Sequence, residues 1–468
     1  MQPRAGFHTI VPLHYLLPLI ILIEGFASIA IEILTIRQLL PVAGGSVIVT
    51  SLIIGVFLLF LALGYEKGGR IETNLHGVLR RNFFIVAVWC GIGVSYTFIN
   101  WFFGFIQKFS GPHIVYPLIA YLLLVLAPAI YLLGQTLPIT MNIVKQDRTA
   151  GAIAGKAMGL STVGSFLGAV FTTLVLMHFL GVAWTVFIIF LSLILLSLMM
   201  SQTRSSFTLM LSLSIVTGVL VYLINISIER NMFLLTNNHA NYQILNHTNS
   251  NLQEGQKILV INEVMSSYTN EKNDAFAYIE LMRKWLFDDL LLRGQDILVL
   301  GAGGFTLSSG DVGENHFTYV DIDSNIKKVV EPDFIPVIKD TLVIDDARNF
   351  LNTTTKKYKV IVVDVFSDYK AIPAHLLTHE FMMSVKNHLQ DDGYAMFNII
   401  SNATFSDPYS KRIDNTIRSA FGSCVAAPTV YKPEATNIVY SCTKNARPDD
   451  RVVYVDDLNN STTDSFTW

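Results

Sequence analysis

The chain has 468 residues, 51% of them hydrophobic and only 15% charged, with a formal net charge of −3. So apolar a balance excludes an ordinary soluble protein, and the lack of a basic run excludes an electrostatic nucleic-acid footprint. Three cysteines, with no pair at metal-ligand spacing, exclude a disulfide scaffold or a zinc knuckle, and no metal is expected. The apolar residues concentrate before about residue 227. The pattern predicts an α-helical polytopic membrane domain over 1–227, a globular α/β domain over 236–445 and a polar tail over 446–468.

A helical span needs about 20 apolar residues to cross the hydrocarbon layer. Seven stretches qualify, near 13–36, 47–65, 83–106, 115–134, 158–180, 182–200 and 208–226. The first is too long, and too soon followed by another, for a cleaved signal peptide. Gly159, Gly164 and Gly168 in the fifth would let another helix approach closely. Glu24 and Glu32 lie in the first span, where a carboxylate needs a partner or a wet cavity. A structural reading pairs Glu32 with Arg37 or with another helix. The other reading is a transport or sensing role.

Lys67, Arg70, Arg80 and Arg81 fall in one loop, and Lys145, Arg148 and Lys156 in another on the same side. The positive-inside rule puts both loops in the cytoplasm and, after seven spans, the C-terminal domain outside. A cytosolic cosubstrate would put that domain inside. Cys424 and Cys442 could meet across a hairpin as a disulfide, which would favour the outside, or remain two buried thiols. Both placements stay open, in what is expected to be a multi-pass protein of a bacterial plasma membrane.

From Asn241 onward, short strands and amphipathic helices take over. "NYQILNHT" and "QKILVINEV" predict a small β-hairpin, and "DAFAYIELMRKWLFDDLLL" has helical periodicity. "DILVLG", "HFTYVDID", "DTLVIDD", "YKVIVVDVF" and "GYAMFNII" then predict a parallel, doubly wound sheet of the Rossmann-like kind. Ligands of such sheets sit beyond the carboxyl ends of the strands. There Gly301, Gly303 and Gly304 allow close backbone approach. Asp321 can accept two ribose hydroxyls, Asp346 can accept an adenine amine, and Asp364 lies where the reacting group would be. Thr306 replaces the third glycine of G-x-G-x-x-G, which favours S-adenosyl compounds over NAD.

These residues resemble the spermidine synthase (polyamine aminopropyltransferase) family, which has the class I methyltransferase fold, and specifically its membrane-fused branch. "EILTIRQLLPVAGGS", "ALGYEKGGRIE", "LLGQTLPI" and "STVGSFLGAVFTTLVL" look like the membrane helices of that branch. "DVFSDYKAIPAHLLTHEFM" looks like its signature after the fourth strand. The resemblance implies that decarboxylated S-adenosylmethionine donates an aminopropyl group to an amine. It assigns ribose binding to Asp321, adenine contact to Asp346 and amine deprotonation to Asp364, with Asp368 as a second amine contact and Tyr278, Glu280 and Tyr369 at the substrate. Asp368 stands four residues after Asp364, where the family spacing is three. Gly304 replaces the acid expected for the donor ammonium, Ile279 the family histidine, and Asn262 and Ser266 an upstream acid and glutamine.

Three readings follow. The first is a membrane-bound aminopropyltransferase acting on a small amine, with the lipid bilayer and a possible homodimer as partners and no nucleic acid. The second is methyl transfer from S-adenosylmethionine itself to an acceptor such as a lipid. The third is a non-enzymatic sensor or transporter of a polyamine or nucleoside.

Overall fold

The computed structural model describes residues 13–44, 47–111, 113–144, 150–365, 372–445, 453–457, 459 and 461. The chain divides into two compact units that change over between about residues 232 and 239.

Among the described residues of the first unit, seven helices are long and apolar enough to cross a membrane. They are Leu16–Ala43, Val47–Gly69, Leu75–Gly93, Val115–Val144, Gly151–Leu180, Val182–Met199 and Arg204–Met232. The third expected span, 83–106, is corrected: the helix stops at Gly93 and another runs over Tyr96–Ser110. Ser95 makes the break, because its hydroxyl accepts from Phe98 N and caps the new helix. Two of the three glycines singled out in the fifth span pack tightly. A Cβ on Gly164 or Gly168 would strike the carbonyl oxygen of Leu22 or Phe26, whereas Gly159 faces open space. Gly25 meets the Ser161 carbonyl in the same way, so the two helices touch backbone to backbone. Arg37 does not pair with Glu32; its Nε donates to the Asn237 carbonyl at 2.7 Å.

The second unit opens with a four-stranded sheet, larger than the expected hairpin, in the order β1 (Leu235–Thr236), β2 (Asn241–Leu245), β3 (Lys257–Ile261), β4 (Val264–Thr269). Asn262 and Glu263, with φ of 49° and 68°, form the two-residue loop between β3 and β4. Positive φ at both positions matches the twist of the paired strands.

The main sheet contains β5 (Asp296–Leu300), β6 (His316–Asp321), β7 (Thr341–Ile344), β8 (Tyr358–Val363), β9 (Leu389–Asn402), β10 (Cys424–Pro428) and β11 (Ala435–Thr443). Its order is β10-β11-β9-β8-β5-β6-β7. Strands β9, β8, β5, β6 and β7 are parallel, and β11 and β10 extend the edge antiparallel. The parallel part was expected from the unbroken apolar runs. Alternation within β5 and β8 shows why both faces must be covered. Leu298, Leu300, Ile361 and Val363 pack with Phe381, Val385, Ile413 and Ile417 of the helices on one face. Ile297, Val299, Val360 and Val362 pack with Met282, Leu286, Ile326 and Val330 on the other. This is a doubly wound class I methyltransferase-like fold, with its strand order reversing beside β5. Cys424 and Cys442 face each other in the β10–β11 register and form a disulfide, with Cα atoms 4.4 Å apart.

Candidate functional site

Four strand tips stand side by side at the carboxyl edge of the parallel sheet, in the order β8, β5, β6, β7. Backbone hydrogen bonds carry the row beyond the strands: Asp364 N donates to Leu300 O, Gly301 N to Val320 O, and Asp345 N to Asp321 O. The residues expected to bind a nucleoside therefore lie on neighbouring turns.

The turn after β5 needs its glycines for two distinct reasons. Gly301 has φ 93°, and a Cβ there would overlap the Asp364 carbonyl on the adjacent tip. At Gly304 a Cβ would overlap the Phe334 ring and lie 2.7 Å from Ser267 Cβ. The place where the resemblance leads one to look for an acid is thus filled by packing, and Gly304 N donates to Ser267 Oγ at 2.9 Å. Asp321 ties the turn down. Its Oδ2 accepts from Ala302 N at 3.0 Å and its Oδ1 from Asp323 N at 2.9 Å. Burial pushes its carboxyl above the ordinary range, against the pull of these two N–H groups.

Asp346 caps the helix Ala347–Thr353, its Oδ1 accepting from the backbone N of Arg348 and Asn349 at 2.9 and 3.0 Å. Its Oδ2 meets His375 Nε2 at 3.0 Å. Burial acts to raise its carboxyl, but the Asn349 N–H and His375 outweigh that and hold it below the usual value.

Asp364 follows β8, and both of its oxygens receive a donor. Oδ1 accepts from Asn398 Nδ2 at 2.8 Å, and Oδ2 from the Tyr278 hydroxyl at 3.0 Å. Asn398 Oδ1 in turn accepts from Asn437 Nδ2 at 2.9 Å. That second bond orients the Asn398 amide so that its NH₂ points at Asp364. Burial raises the Asp364 carboxyl above its ordinary range despite both bonds, and burial with the adjacent carboxylate pushes the Tyr278 phenol well above its own. A carboxylate so placed can accept a proton from a ligand at the sheet edge.

The structure brings Gly301, Gly303, Gly304, Asp321, Asp346, Asp364 and Tyr278 to these turns. Glu280 is engaged elsewhere, accepting from Ala275 N at 2.6 Å and pairing with Arg283 at 2.9 Å. Ile279 is buried in the core, and Asn262 Oδ1 holds Asn241 N, so both departures from the family serve packing or a turn. Asp368 and Tyr369 lie outside the described residues. Asn398, Asn437, His375, Ser267 and Phe334 were not expected. His375 lies in the stretch "DVFSDYKAIPAHLLTHEFM" noted above, whereas nothing in the local sequence marks the other four, which strand pairing and loop packing bring in.

The description "Spermine/spermidine synthase domain" matches residues 296–450. A polyamine aminopropyltransferase of Vibrio vulnificus (strain CMCP6) is 31% identical over 138 residues, which are 28% of this chain and 44% of that protein. The chain therefore spans less than half the length of the curated relative it matches. Among solved structures, a probable spermidine synthase from Corynebacterium glutamicum ATCC 13032 superposes with a TM-score of 0.39 at 18% identity, over 44% of this chain and 78% of that one. Spermidine synthase from Thermotoga maritima superposes with a TM-score of 0.34 at 14% identity, over 49% of this chain and 84% of that one. Residues 296–450 of the C-terminal unit are thus similar in sequence to the spermine/spermidine synthase domain.

Proposed function

We propose that the protein is a multi-pass membrane enzyme whose α/β unit transfers an aminopropyl group from decarboxylated S-adenosylmethionine to a small amine. The observation that carries this reading is Asp364, a carboxylate fixed between Asn398 and Tyr278 on the tip next to the glycine turn. An ammonium is not nucleophilic, so the acceptor nitrogen must lose a proton before it attacks. Asp364 takes that proton as the nitrogen bonds to the aminopropyl carbon. The carbon–sulfur bond breaks, its electron pair stays on sulfur, and neutral methylthioadenosine leaves. Asp321 keeps lone pairs for the ribose hydroxyls beyond the two N–H bonds it accepts. Asp346 Oδ2, beside His375, is the adenine-side acceptor.

The contacts expected for the donor ammonium and for the acceptor both depart from the family pattern. Gly304 leaves no room for a carboxylate, and Ile279 replaces a polar side chain with a packed one. These departures support an acceptor amine different from the family's usual one.

Purified full-length protein, incubated with decarboxylated S-adenosylmethionine or S-adenosylmethionine and a panel of amines, tests the reading by mass spectrometry. Aminopropylated product with released methylthioadenosine is expected. A methylated product, or no turnover with any amine, would overturn it.

A further inference from the structure

Four buried polar side chains of the helical unit share one helix. Along Leu13–Ala43, the residues Glu24, Ser28, Glu32 and Thr35 recur at spacings of three and four, which is one face of a helix. They are 1, 3, 9 and 0% exposed. The Ser28 hydroxyl donates to Glu24 Oε1 at 2.9 Å, and Glu24 Oε2 is buried with no hydrogen-bond donor among the described residues. What faces Glu24 from neighbouring helices is hydroxyl: Ser161 from Ala150–Phe171 and Tyr65 from Val47–Gly69. Among the described residues no lysine, arginine or histidine pairs with either carboxylate. Arg37, further along the same helix, gives its Nε to the Asn237 carbonyl.

Packing does not ask for this arrangement. A glutamine at 24 would offer Ser28 the same acceptor without an ionisable group. A buried carboxyl bonded to a hydroxyl, with a second carboxyl two turns along the same face and no counter-charge among the described residues, is the kind of group from which proton relays are built.

We propose that Glu24, held by Ser28 and followed by Glu32 two turns along the same face, forms a proton-binding site within the helical unit. The proton binds Oε2 of Glu24, the oxygen without a donor, and exchanges by way of Glu32, about 12 Å further along the helix axis at 1.5 Å per residue. Uptake converts the carboxylate to a neutral carboxyl, and release restores it; no other group changes. This inference rests on the first unit alone and stands or falls separately from the transferase reading.

Dicyclohexylcarbodiimide, which modifies protonated carboxyls shielded from water, provides the test on full-length protein in native membranes, followed by peptide mass spectrometry. The expected result is an adduct on Glu24 that diminishes as pH rises and is lost in E24Q. An adduct absent at every pH, or one that persists unchanged in E24Q, would overturn the proposal. Protection by sodium at constant pH would also overturn it, assigning the site to a metal ion. Should E24Q not fold, the wild-type profile decides, because pH-independent labelling of Glu24 is incompatible with a titrating site.

Discussion

Asn398→Ala removes the donor to Asp364 Oδ1 and leaves Tyr278 as the only side chain among the described residues bonded to that carboxylate. A hydrogen bond to a charged group contributes about 1.5–3 kcal/mol. That energy favours the ionised form, so its loss should lift the Asp364 pKa still further. The direction is fixed, because the bond favours the ionised form while burial already opposes it. The proposed base works only when ionised. Turnover in the wild type should therefore rise with pH through the elevated Asp364 pKa, and in the variant the same limb should appear at higher pH with little change in the plateau. Chromatographic release of methylthioadenosine, measured as kcat/KM across pH, reads this displacement. An unmoved limb with a plateau lowered equally at all pH values would refute the argument and reduce Asn398 to a packing residue. Stability carries the same sign. Because the folded Asp364 holds its proton more tightly than the unfolded chain does, stability falls as pH rises from the ordinary carboxylate range through the folded value. The variant should extend that falling window upward, as thermal denaturation against pH would show.

Asp364→Asn should abolish turnover while leaving adenosyl-ligand binding nearly intact by calorimetry; normal turnover would remove it from the chemistry. Gly301→Ala sets a Cβ against the Asp364 carbonyl at a φ of 93°, and should cost about 1–3 kcal/mol of stability. Chemical denaturation that finds no loss would contradict the close approach of the β5 and β8 tips. Asp346→Ala removes the cap of the helix Ala347–Thr353, with an expected cost of about 0.5–2 kcal/mol and weaker nucleoside binding. Wild-type stability in that variant would rule out the capping role. The Cys424–Cys442 bond closes a separation of 18 residues and should contribute about 3 kcal/mol. Disulfides persist in oxidising compartments, so the redox state of this pair in cells tests which of the two placements holds. Thiol labelling of denatured, unreduced protein isolated from cells should find Cys90 alone, and all three cysteines after reduction; three labelled thiols before reduction would place the unit in the cytoplasm.

The seven apolar helices, the parallel sheet and the row Gly301, Asp321, Asp346, Asp364 could be read from the sequence for one physical reason. Each depends on a local period or on the residue that follows a strand. An apolar run of about 20 residues reports a span, and a doubly buried strand ends where its apolar run ends. Helix ends inside apolar sequence were less legible. The break at Ser95 depends on one hydroxyl capping Phe98 N within an otherwise continuous hydrophobic stretch.

Pairing across distance was decided only by the tertiary structure. Asn398 stands 34 residues after Asp364, and Asn437 stands 39 after Asn398, and they reach one another because β11 lies antiparallel beside β9. Residue type could not announce this, since an asparagine in a strand interior reads the same whether or not a carboxylate waits across the sheet. The same holds for Phe334 under Gly304 and for Cys424 opposite Cys442. Local chemistry along the chain thus supplied the groups, while strand order and loop packing determined which of them meet. Contacts between residues far apart in sequence are set by the closing of the whole fold, and no short stretch encodes that.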